Sequence, residues 1–209
     1  MKFELKGKPV FAECTLDVAK GDTMMDGFRP AMPGVSTSYS NFFEVHSFDF
    51  GMSLKEGDSK ENKEVLADSG AFAAWRSAAK DEYKEIKYPL EFDKFTLKRT
   101  VDRASPIFFA NCCSSTSFDS ATLVKRVSAG GATPMGIMRI DFSTVLLTGV
   151  DWSDGELVSE SVDFICQKMV ITMRTQMASG TISSAKYTIT WDSANDRSLG
   201  IRTKYSQGG

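Results

Sequence analysis

The sequence predicts a mainly β protein, a small antiparallel β-barrel or two-sheet sandwich. Short segments alternate apolar and polar residues with a period of two, and turn-forming clusters of Gly, Ser, Asn and Asp separate them. A helical period, by contrast, appears only in short stretches. A chain of 209 residues fits one such domain spanning 1–209, since all-β domains commonly reach about 200–250 residues. The apolar share of 42% is enough to fill a sizeable core.

The N-terminal stretch MKFELKGKPVFAEC spreads its charges and lacks the apolar centre of a signal peptide. The protein is therefore expected in the cytoplasm unless a dedicated machine exports it. Between Val10 and Asn41 lies the loop KGDTMMDGFRPAMPGVSTSYSN, with the character of an insertion over 20–41. Its prolines, glycines and exposed-looking methionines suit an irregular excursion. In the strand from Glu44 to Ser53, Phe48 and Phe50 point to one side, Ser47 and Asp49 to the other.

A second insertion is expected at about 55–87. Ala71, Ala74, Trp75, Ala78 and Ala79 recur at helical spacing, and alanine is the best helix former. Asp68 or Ser69 is available as a cap, so an extra amphipathic helix is predicted over 70–84. In the next strand Phe95, Leu97 and Val101 alternate with Thr96, Lys98 and Thr100.

That strand stops at Asp102 and turns into a short apolar helix, predicted over 106–114. Ser105 is the predicted N-cap and Pro106 the first helical residue, where no backbone N–H bond is lost. Phe108, Phe109, Cys112 and Cys113 are expected to share one buried face. Thr122 to Val127 reads as a short strand closed by Ala129-Gly130-Gly131. Met138, Ile140 and Phe142 then alternate with Arg139, Asp141 and Ser143. Ser161 to Met173 is long for a strand and apolar on both faces near its end, as in strands covered from both sides. Lys186 to Trp191 alternates once more.

Composition also narrows the chemistry. The formal net charge is −2 with both signs interspersed, which gives no reason to expect a nucleic acid or an anionic membrane as partner. No apolar run approaches the roughly 18 residues needed to span a bilayer. Cys14, Cys112, Cys113 and Cys166 have no CxxC spacing and the chain has 1 histidine, so no zinc site is expected. Cys112 and Cys113 could form a redox pair, but buried thiols on an apolar helix are the preferred reading.

Enzymatic readings fare no better. Any Ser–His or Cys–His catalysis must pass through His46, which reads instead as a packed or interfacial histidine. Asp151 with Asp154, or Asp192 with Asp196, could act as an acid–base or calcium pair. Their Gly, Ser and Asn neighbours favour solvated turn carboxylates. Gly130 and Gly131 are no phosphate loop, because no GK[ST] follows. Trp75 reads as a packing anchor or, if exposed, as an interaction hot spot. No catalytic set, cofactor or metal is expected.

Five segments, in order, resemble one family. These are EVHSFDFGMS (Glu44 to Ser53), ValAspArgAlaSerPro at Val101 to Pro106, and ATLVKRVSAGG (Ala121 to Gly131). FSTVLLTGVDWS (Phe142 to Ser153) and ESVDFICQKMVITM (Glu160 to Met173) complete the set. Together they resemble the haemolysin-coregulated proteins (Hcp), which form the inner tube of type VI secretion systems. The resemblance covers Asn41 to about Trp191.

It implies a non-enzymatic subunit of a homohexameric ring, with rings stacked into a hollow tube. A contractile sheath would expel that tube beneath a spike protein, with effector proteins in the lumen and no signal peptide needed. On this reading Ser47, Asp49, Thr96, Lys98 and Thr100 are candidates for the lumen wall. Trp75, Arg76, Lys80 and Tyr83 occupy the excursion that reaches toward the adjoining ring. The chain ends soon after its last strand, so a tube subunit without a fused toxin is expected. Two alternatives stay open: a tail-tube protein of a contractile phage, and a monomeric barrel that binds a ligand or hydrolyses an ester beside His46.

Overall fold

The computed structural model describes residues 1–18, 21–31, 39–54, 90–128 and 134–192. Strands β1 (Lys2–Leu5) and β2 (Lys8–Pro9) form a hairpin. Lys6 and Gly7 between them both take positive φ, 52° and 69°, which suits a two-residue hairpin turn. A 3-10 turn, Thr23–Met25, lies in the first loop. Then come β3 (Ser47–Asp49), β4 (Met52–Leu54), β5 (Leu90–Phe92) and β6 (Phe95–Thr100). Helix α1 (Ser105–Cys113) leads into β7 (Phe118–Val127), β8 (Met135–Ser153), β9 (Ser159–Met173) and β10 (Tyr187–Asp192).

The main sheet has eight strands, in the order β2-β1-β7-β8-β9-β6-β3 with β10 also against β9, and every pairing is antiparallel. β9 is long enough to hold two partners on one edge: β6 takes residues 159–164 and β10 takes 168–173. The two ends of the strand order meet. Met1 and Phe43 exchange both backbone hydrogen bonds, at 2.6 and 2.8 Å, while His46 to Asp49 pair with β6. Segment 43–49 thus joins β1 to β6 and closes the sheet on itself, which removes exposed edges there.

Phenylalanines fill the closed interior. Phe3 is fully buried against Phe43, Phe108, Phe118 and Phe164, with ring centroids 5.0 to 6.1 Å apart. Phe95 continues the cluster onto Phe142 and Phe164. Truncating such a ring to alanine costs about 3–5 kcal/mol, so this cluster carries a large share of the folding free energy.

The alternation along β8 is re-phased once. Ile140, Phe142, Val145 and Leu147 all face inward, which a strict period of two does not permit. Ser143 and Thr144 are both exposed, and Thr144 takes φ 52°, so this kink restores the inward phase. The strand predicted from Glu44 to Ser53 is also broken. A Cβ at Gly51 would lie 2.5 Å from Asp93 Oδ2, and the Asp93 N–H donates to the Gly51 carbonyl. β4 beyond it pairs with β5 in a separate two-stranded sheet.

The helix corrects two expectations. Its N-cap is Ala104, not Ser105, and Pro106 lies within the first turn after Ser105. The Asp102 carboxylate accepts from the Ala104 N–H, while the Ser105 hydroxyl turns to Glu160. Nor do the four predicted residues share a buried face. Phe108 is buried and Cys112 half-buried, but Phe109 is 52% exposed and Cys113 is exposed. Adjacent helical residues differ by about 100°, so Phe108 and Asn111 are buried while Phe109 turns toward the exposed Trp152 of β8.

In the first loop, Met24 and Met25 are buried rather than exposed. Asp22 holds them there: its carboxylate accepts from the N–H groups of Met24 and Gly136 and from Arg174. The predicted helix over 70–84 falls outside the described residues, as do Trp75, Arg76, Lys80, Tyr83 and Asp196.

Candidate functional site

The five candidate wall residues lie on one face of the sheet. Strand register places Asp49, Thr96, Asp163 and Gly149 side by side across β3, β6, β9 and β8. The next rung is Ser47, Lys98, Ser161 and Asp151, and the third is Thr100, Ser159 and Ser153. Paired residues point to the same side of a sheet, so these rungs make a continuous polar surface. The opposite sides of the same strands carry Phe95, Leu97, Val162 and Phe164 into the core. One set of strands therefore presents oil inward and short polar groups outward.

Register adds Asp151, Ser153, Ser159, Ser161 and Asp163 to the five candidates, an alignment across strands that periodicity within one strand does not reveal. Asp163 is the wall's most constrained group. It accepts from Lys94 and, at 2.7 Å, from the Thr96 hydroxyl. Burial alone would raise its carboxyl, but the Lys94 and Thr96 bonds together with the Lys94 charge hold it below the usual range. The Asp163 hydrogen bond and charge raise the Lys94 ammonium in turn. Gly149 faces Asp163, and a Cβ there would approach Oδ2 to 3.3 Å.

Behind the wall sits a buried ionic knot. Arg99 falls on the apolar side of β6 and is 1% exposed, as is Glu160 on β9. Arg99 Nε lies 3.2 Å from Glu160 Oε2 and its Nη2 bonds Asp102. Glu160 also accepts from the Ser105 hydroxyl at 3.0 Å and from Trp152 Nε1 at 2.7 Å. The guanidinium lies 4.0 Å from the centre of the Phe43 ring. This knot fastens β6, β8, β9 and α1 behind the polar surface. The signal for it was present: an arginine in phase with Phe95 and Leu97 demands a buried acid.

His46 lines an open groove of about 500 Å³ beside the wall, with Phe28, Phe42, Leu123 and Arg126. Its backbone N–H donates to Lys98, and its Nε2 lies 3.3 Å from the Thr100 hydroxyl. Among the described residues, that hydroxyl is the side-chain partner of the ring. No group of three or more His, Cys, Asp or Glu gathers to hold a metal among the described residues. The described helices include none long and apolar enough to cross a membrane.

A closed antiparallel sheet with one helix against β8 and a long β8–β9 hairpin can be compared with known families. Residues 34–191 match the family described as type VI secretion system effector, Hcp. The chain belongs to the Hcp family. Solved structures agree on the fold of this Hcp protein. A structure described as a type six secretion system protein superposes with a TM-score of 0.63 at 13% identity, covering 95% of this chain and 98% of the other. Hcp1 from Salmonella typhimurium gives 0.55 at 15% identity, over 95% and 97% of the two chains. Hcp1 from the E. coli EAEC 042 pathovar gives 0.56 at 10%, over 92% and 95%. No curated protein sequence matches the chain.

Proposed function

We propose that this Hcp protein is the structural subunit of a type VI secretion inner tube and works by assembly, not catalysis. Six copies close a ring, and rings stack into a hollow tube that a contracting sheath expels with its spike. The observation that carries the reading is the polar wall on a closed sheet in a member of this family. Ser47, Asp49, Thr96, Lys98 and Thr100, with Ser159 and Ser161, form a surface of polar side chains, all short but Lys98. Such a face stays wet, and a hollow tube needs a lumen of this kind for effector proteins to travel in. The ring is built in the cytoplasm and leaves the cell with the tube.

Negative-stain electron microscopy with light scattering tests this. The expected result is annular particles with a central hole and a mass about six times the 23.0 kDa chain. Monomer mass at every concentration contradicts the reading and favours a ligand-binding barrel.

A further inference from the structure

The β8–β9 hairpin ends in two different surfaces at opposite ends of one ladder. At the closed end, Trp152, Leu157 and Val158 are exposed, and Phe109 of α1 lies 5.9 Å from the Trp152 ring. Trp152 is oriented, since its Nε1 is bonded to the buried Glu160. Beyond it at the turn stand Asp154 and Glu156, both exposed and without an ion pair among the described residues. The sequence between Ile140 and Gln167 contains no lysine or arginine.

At the open end the signs reverse. Register sets Lys125, Met138, Met173 and Tyr187 side by side across β7, β8, β9 and β10. Met173, Met177 and Tyr187 are exposed. Beside them, the Lys186 ammonium donates to the Thr23 hydroxyl, and Lys125 is exposed. From Lys168 to Thr190 the sequence carries no acid. Both ends thus carry an apolar centre rimmed by charge, acidic at one and basic at the other.

Resting on the tube reading above, we propose that these two ends meet between copies of this chain, the acidic tip of one subunit on the basic open end of the next. β8 is 19 residues long, a contour of about 60 Å at roughly 3.3 Å per residue. A contact between opposite ends of one ladder is head-to-tail and repeats from copy to copy; on the tube reading it is the contact that extends the stack. Trp152 is its anchor, as an oriented, half-exposed tryptophan suits the centre of an interface. The rim charges set register and polarity.

Charge reversal with rescue tests the contact. Asp154→Lys with Glu156→Lys makes both ends basic; Lys125→Glu with Lys186→Glu makes both acidic; the quadruple variant restores opposite signs. At low salt, electron microscopy is expected to show wild-type stacks, at least a fivefold loss of mean stack length in each double variant, and recovery in the quadruple. Ring diameter in the same micrographs stays unchanged throughout. Rings that never stack, double variants that stack like wild type, or a quadruple that fails to recover overturn the proposal while the ring reading stands. A wild-type monomer overturns both.

Discussion

Glu160 shows how much one side chain can organise. It is buried and holds Arg99, Ser105 and Trp152 at once, so its charge is matched on several sides. Glu160→Gln leaves the buried Arg99 guanidinium with Asp102 as its remaining counter-charge and should cost roughly 3–5 kcal/mol in urea denaturation. Ser105→Ala should cost about 1–3 kcal/mol through the lost bond to a charged group, not through capping. The two losses should be non-additive in a double-mutant cycle; additivity would show that Ser105 acts elsewhere. Asp163 gives a pH signature. Its folded carboxyl lies below the unfolded value of about 3.9, so its stabilisation is present above that value and is lost as pH falls through the folded one. Wild type should exceed Asp163→Asn in stability at neutral pH, and the gap should close in strong acid. For Lys94 the sign is opposite: its raised value stabilises below about 10.4 and fades as pH rises through the folded value. Arg99 was legible as an anomaly in an apolar phase. Its partner was not, because pairing across 61 positions depends on strand register that local periodicity does not encode.

At the scale of elements, periodicity located β6, β8, β9 and β10 well and misjudged what interrupts them. The apolar phases of β6 are visible in Phe95 and Leu97, and the wall residues follow from the opposite phase. The kink in β8 was invisible because Thr144 is a good strand residue that here takes φ 52°. A β-branched residue pays for that conformation with steric strain. Thr144→Gly should therefore leave the fold intact and raise stability by up to about 1–2 kcal/mol, read from thermal melts. A clear loss would mean the side chain makes a compensating contact. The burial of Met24 and Met25 was equally hidden, since Asp22 reaches Gly136 and Arg174 across more than a hundred residues.

For the whole molecule, closure matters most. Segment 43–49 joins β1 to β6, and the closed sheet then offers a polar wall on one side and a phenylalanine core on the other. The family was legible in the sequence because its short motifs keep their order; closure was not, because the Met1–Phe43 exchange has no local signature. β4 and β5 pair on either side of residues 55–89, so the chain leaves and re-enters at adjacent points. Deleting 60–84 should leave the melting temperature within the roughly 2–4 °C that about 1 kcal/mol produces. Unfolding on deletion would make the segment part of the core. The most direct test of the tube account is a cryo-electron microscopy reconstruction of the assembled protein at side-chain resolution. The account predicts a six-fold ring with Ser47, Lys98 and Thr100 lining the central channel. A ring with those residues on its outer surface, or no ring at all, would contradict it.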